Sequence, residues 1–92
     1  MRLVWTATAV TDLEQISDYV FEKNPELAAT TIRHILESAS ELKLFPRRDR
    51  PGCKEGMREI VLTQLPYLVV YEVVDQSIRV LRVLHGARRW PE

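Results

Sequence analysis

The chain is 92 residues long, which allows one compact domain. Hydrophobic residues at 46% and charged residues at 28% exclude a disordered chain. The net charge is zero, yet residues 1–46 hold four basic and seven acidic residues while residues 47–92 hold nine basic and six acidic ones, so the C-terminal half is the cationic one.

Residues 2–5 (Arg2-Leu3-Val4-Trp5) read as a short strand, followed by Thr6 as a helix N-cap. Ala9, Leu13, Ile16 and Val20 then recur at spacings of four, three and four, one face of a first helix. Asp12, Glu14, Asp18 and Glu22 are expected on its solvated side. Asn24 and Pro25 end this helix and open a second, with Asn24 as cap and Pro25 at the first helical position, where a missing N–H costs nothing. Ala28, Ile32, Ile35, Leu36, Ala39 and Leu42 form the apolar side of the second helix, which stops near Phe45-Pro46. With almost no loop between them, the two helices should form an antiparallel hairpin.

Residues 46–56 (PRRDRPGCKEG) form a basic loop. Three strands follow at 57–63, 67–74 and 78–85, joined by Gln64-Leu65-Pro66 and Asp75-Gln76-Ser77. Short connections make them an antiparallel meander. The order β-α-α-β-β-β therefore predicts an α+β domain, with a helical hairpin packed on one face of a small antiparallel sheet.

Several classes of function are excluded or disfavoured. No apolar run approaches the roughly 20 residues that cross a bilayer, and the N-terminus MRLVWTATAV lacks the apolar core of a signal peptide. A cytoplasmic protein without membrane partners is expected. One cysteine, Cys53, excludes an internal disulfide framework. His34 and His85 show no metal-ligand spacing, so neither a metal nor a cofactor is expected.

Two patterns point to a partner. The strand at 67–74 is apolar on both faces, and so is much of the strand at 78–85; strands of that kind are normally covered on both sides. Two helices cover one face. Leu68, Val70, Leu81 and Val83 are expected to line the other as an uncovered surface for a protein partner. Cationic and aromatic residues supply candidate target contacts: Arg58, Arg82, His85, Arg88, Arg89 and Trp90. Arg82 and His85 stand three apart on one strand, hence on opposite faces unless the strand ends or bulges at Leu84.

The ordered set of Trp5, Asp12-Leu13, Tyr19, Asn24-Pro25, Phe45-Pro46, Arg50-Pro51-Gly52, Arg58-Glu59-Ile60, Pro66-Tyr67 and the run from Val83 to Pro91 resembles the RelE/ParE superfamily of toxins over essentially the whole chain. Asp49 departs from the glycine usual before Arg-Pro-Gly. The resemblance implies the toxin half of a type II toxin–antitoxin module, held inactive by a cognate antitoxin that wraps its helices and sheet. Its ParE-like branch inhibits DNA gyrase without catalytic residues. Its RelE-like branch cleaves mRNA on the ribosome.

Cleavage by attack of a 2′-OH needs a general base, a general acid and cations on the developing phosphorane charge. Arg58, His85 and Arg88 would supply these under the nuclease reading. Nuclease members carry an arginine where this chain has Leu68, and two lysines that would fall near Glu59 and Val61. That comparison favours the gyrase branch, with ribonuclease as the alternative.

Overall fold

The computed structural model describes residues 2–44, 50–51, 56–62 and 64–86. In chain order the elements are β1 (Arg2–Trp5), α1 (Ala7–Lys23), α2 (Pro25–Glu41), β2 (Arg50–Pro51), β3 (Met57–Val61), β4 (Tyr67–Val74) and β5 (Ser77–His85). They build the expected fold, two helices against one small sheet. The strands lie in the order β1-β5-β4-β3-β2. The meander β3-β4-β5 is antiparallel throughout. β1 joins its β5 edge in parallel, Arg2 opposite Ser77 and Trp5 opposite Val80. The helical hairpin between β1 and the meander provides the long connection that a parallel pairing requires.

Thr6 does two jobs where β1 becomes α1. Its hydroxyl oxygen accepts from the Ala9 N–H at 3.2 Å, as an N-cap should. The same hydroxyl donates to the Val80 carbonyl at 3.0 Å, and the Thr6 N–H reaches that carbonyl at 3.1 Å. Pro25 occupies the start of α2 as expected, but the Asn24 side chain makes no capping bond. Asn24 holds the N-cap position of α2 as expected, its carbonyl accepting the Leu27 N–H at 3.0 Å, and it also ends α1 through its N–H to the Val20 carbonyl.

The principal core lies between helices and sheet. Ala9, Ile16, Ile35 and Ala39 meet Val69, Val80, Val83 and Tyr67 there, and Leu42 closes its lower end over Tyr71 and Ile78. Thr31 is buried on α2, whereas Leu36, expected on the apolar side, is exposed. Tyr71 is fully buried and is the largest such side chain among the described residues.

The strand β5 carries an irregularity that periodicity does not reveal. Val70 faces Arg82 but Tyr71 faces Val80, which leaves Leu81 as an extra residue. Such a bulge reverses the alternation of every side chain beyond it. Val80 and Val83 therefore both enter the core under the helices, and Leu81 and Leu84 pack with Leu68 and Val70 on the opposite face. Val83 had been placed with Leu81; the bulge moves it to the other side.

That opposite face is not open. Leu68 is 7%, Val70 0% and Leu84 2% exposed in the chain on its own, with Leu81 packed half-buried against them. The expectation that Leu68, Val70, Leu81 and Val83 line an uncovered surface is therefore corrected: these side chains are already packed within the chain. At the same face Arg79 and Glu72 are cross-strand partners at 2.8 Å, an exposed pair of small energetic weight.

Replacing Thr6 with Ala removes the cap and the bond to Val80. The expected cost is about 1–2 kcal/mol, seen as a lower urea midpoint with an unchanged slope.

Candidate functional site

The site is best built outward from Asp12. Ala9 lies three residues before it and Ile16 four after, so helical periodicity sets Asp12 on the buried stripe of α1. It is 7% exposed, not part of the solvated side to which it had been assigned. Its carboxylate accepts from Arg82 Nε at 2.8 Å and from Arg82 Nη2 at 3.2 Å, a two-point fork. One of the same oxygens accepts the Val83 backbone N–H at 2.9 Å.

This arrangement has a topological cause. β1 pairs with β5 only as far as Val80. Beyond that point β5 has no strand on its β1 side, and a buried N–H without an acceptor is costly. Asp12 supplies an acceptor where β1 has already ended. Arg82 neutralises the carboxylate, which would otherwise not tolerate burial.

A groove of about 420 Å³ opens beside this pair, between α1 and the adjoining ends of β4 and β5. Gln15, Ile16 and Tyr19 form its helical wall; Pro66, Tyr67 and His85 form the strand side. Tyr67 and His85 are cross-strand partners, with ring centroids 5.7 Å apart at an interplanar angle of 82°. This edge-to-face contact fixes the imidazole against a buried phenol. Burial pushes the Tyr67 hydroxyl above its ordinary pKa of 10.0, and the neighbouring Tyr19 phenol adds to the shift. At the Pro66 end the Gly86 N–H donates to the Pro66 carbonyl at 2.6 Å and ties the strand ends together.

The candidate residues fare differently. His85 lies in the groove and is exposed. Arg82 is held by Asp12, with its side chain 20% exposed, which makes it a structural cation. Arg58 faces Tyr71 across β3 and β4, four positions along β4 from the Tyr67 that faces His85. At about 3.3 Å per residue and 4.8 Å per strand, the Arg58 and His85 backbones are roughly 16 Å apart. Arg58 does not line the groove. Arg82 and His85 stand on opposite faces as expected, because the bulge precedes Arg82 and alternation is regular from there to His85. Arg88, Arg89 and Trp90 lie outside the described residues, as do Cys53 and most of the basic loop.

Gln15, Tyr19 and Tyr67 were missed as site residues, and so was the Asp12 anchor. Asp12 was detectable as a lone acid on an apolar helical stripe. The others meet only through the sheet's closure under α1, which no local pattern records. Among the described residues, no group of three His, Cys, Asp or Glu side chains could hold a metal ion. No helix among them is long and apolar enough to cross a membrane.

The family model for the ParE toxin of the type II toxin–antitoxin system parDE matches residues 3–90. The chain belongs to this toxin family. It is 31% identical to the putative toxin Y4kP of Sinorhizobium fredii over 91 residues, covering 99% of this chain and 94% of that one. It is 32% identical to Toxin RelE2 of Caulobacter vibrioides over 87 residues, covering 95% and 97% respectively. Among solved structures, a chain of the chromosomal ParDE toxin–antitoxin system from P. aeruginosa superposes with a TM-score of 0.86 at 28% identity, covering 92% of this chain and 95% of that one. A chain of the RelBE2 toxin–antitoxin complex from Mycobacterium tuberculosis shares the fold, with a TM-score of 0.63 at 24% identity and coverage of 91% and 95%.

Two outcomes follow from this site. Asp12→Ala removes the acceptor shared by Arg82 and Val83 and should cost about 3 kcal/mol, measured by denaturant unfolding, with Asp12→Asn costing less because it still offers Val83 an oxygen. The raised Tyr67 pKa leaves stability unaffected below pH 10, where folded and unfolded chains both keep the proton. Above that the unfolded chain releases it more readily, so stability should fall as pH rises, and Tyr67→Phe should flatten this alkaline limb.

Proposed function

We propose that this toxin acts by binding a protein target, DNA gyrase in the ParE-like manner, and that a cognate antitoxin neutralises it. The observation that carries the non-catalytic reading is the dispersal of the cleavage residues. A 2′-OH attack needs base, acid and phosphate-binding cations around one phosphorus. Here His85 sits among Tyr19, Gln15 and Tyr67, Arg82 is committed to Asp12, and Arg58 lies outside the groove. The match to the ParE family supports the ParE-like branch, for which gyrase is the target the resemblance implies.

The antitoxin reading draws support from solved relatives that are components of toxin–antitoxin systems. Contact through Leu68, Val70, Leu81 and Val83 would require opening a packed face. Exposed apolar side chains are available instead on the helices, at Val10, Tyr19, Phe21, Leu27 and Leu36. We place antitoxin contact there.

The alternative, a ribosome-dependent ribonuclease with Arg58, His85 and Arg88, retains the support of a relative named RelE2. His85→Ala separates the two. Expressed without antitoxin, the variant should arrest growth as the unaltered chain does, with induction of the DNA damage response. The purified protein should inhibit gyrase supercoiling at near-stoichiometric amounts. Loss of toxicity in His85→Ala, together with new mRNA 5′ ends in the unaltered chain, would overturn the gyrase reading.

A further inference from the structure

The groove beside Asp12 reaches the last described residues of the C-terminal strand. His85 lines it, and the next residue, Gly86, gives its N–H to the carbonyl of Pro66, another lining residue. The approach is close, since a Cβ on Gly86 would meet that carbonyl oxygen at 3.4 Å. Ala87-Arg88-Arg89-Trp90 therefore departs from the rim of the groove. Four residues span at most about 14 Å, enough for Trp90 to return over the opening. The surface it would meet is mostly apolar. Ile16 and Pro66 offer aliphatic contact, the Tyr67–His85 pair offers ring edges, and Tyr19 stands 54% exposed at the rim. Asp12 brings no unanswered charge, because Arg82 and the Val83 N–H hold its carboxylate. Lys23 already places its Nζ 5.8 Å from the centre of the Tyr19 ring, so a second cation gains nothing there. The lining thus suits a flat, uncharged side chain, and a volume of about 420 Å³ admits an indole. An indole N–H seeks an acceptor when buried, and the exposed Gln15 offers its amide oxygen. The charges outside the groove also match. Asp18 follows Gln15 by three residues and Glu22 follows Tyr19 by three, so both acids stand in the row beside the helical wall. Neither forms an ion pair among the described residues. Arg88 and Arg89 immediately precede Trp90.

We propose that this groove is the seat of the chain's own Trp90. The indole would lie on Ile16 and Pro66 against the Tyr67–His85 edge, with Arg88 and Arg89 on the rim toward Asp18 and Glu22. The occupant is a segment of the same chain because it is tethered at the rim, where a short linker holds a side chain at an effective concentration on the order of millimolar. Two consequences follow for the candidate target contacts. His85 lies beneath an indole, and the cationic tip consists of Arg88 and Arg89 without Trp90. Val10 and Phe21, on the opposite flank of α1, stay clear of this contact. The inference goes beyond the toxin reading and is independent of gyrase and of the antitoxin.

The test uses the purified full chain, 13C- and 15N-labelled. NOEs should connect the Trp90 indole with the Ile16 methyl groups and the Tyr19 ring, and Trp90→Ala should shift the Gln15 and His85 amides. Trp5→Phe leaves Trp90 as the single tryptophan emitter. A seated ring has most of its surface covered, so acrylamide should quench Trp90 about threefold less than free N-acetyltryptophanamide. Tyr19→Ser, a change at an exposed rim position, should remove a large part of that protection, whereas Phe21→Ser on the opposite flank should leave it intact. Quenching of Trp90 equal to that of the free amide, or absence of the NOEs to Ile16 and Tyr19, overturns the proposal. Protection unchanged by Tyr19→Ser places the indole elsewhere and overturns it too. The same NOEs appearing between labelled and unlabelled chains in a mixture, or protection lost on dilution, would make a second copy the source of the indole and overturn the tethered seat. None of these readouts depends on toxicity, so failure of the gyrase reading is distinguishable from failure of this one.

Discussion

The architecture depends on one carboxylate placed where a strand runs out. β1 pairs β5 through Val80 and then turns into α1 at Thr6. A parallel edge that stops midway along its neighbour leaves backbone groups to satisfy. Thr6 takes the Val80 carbonyl, with its hydroxyl also 3.3 Å from the Leu81 carbonyl. Asp12, one and a half turns further along α1, takes the Val83 N–H. Helix and strand are thus joined by polar bonds over the very stretch where the sheet has lost its edge partner. Because Asp12 also forks onto Arg82, the junction is specified by charge as well as shape.

The bulge at Leu81 belongs to the same solution. Without an extra residue, Val83 would face away from the helices and Leu84 toward them. With it, Val83 fills the core under α1 while Leu81 and Leu84 complete the cluster with Leu68 and Val70. His85 then emerges on the helical side beside Tyr67, and the groove acquires its strand wall. The position of His85 is therefore a consequence of how β5 is fastened.

Much of this was legible and some was not, for identifiable reasons. The 3.6-residue period of Ala9, Leu13, Ile16 and Val20, the Thr6 cap and the Pro25 start all lie in local spacing, and they placed the helices closely. Strand ends marked by Gln64 and Asp75 were legible because both residues take positive φ, at 70° and 54°. The bulge was invisible, since a run such as Val80-Leu81-Arg82-Val83-Leu84 alternates plausibly in either register. The uncovered face was inferred from counting helices, whereas Leu68, Val70 and Leu84 are buried side chains packed on one another. Asp12 was treated as one of four surface acids, although its spacing from Ala9 and Ile16 carried the contrary signal.

Family membership and mechanism separate at Leu68. The resemblance that identifies the chain also marks this position as an arginine in the cleaving branch. Leu68 packs against Val70 and Leu84 and is 7% exposed. A cation at that position would have to hold its charge within an apolar cluster or break the cluster open. An apolar residue there commits the far face of β4 to packing. One fold can carry both chemistries because the scaffold tolerates either choice at such points. In this chain Leu68 is committed to packing, and the Asp12–Arg82 pair to the junction of α1 with β5.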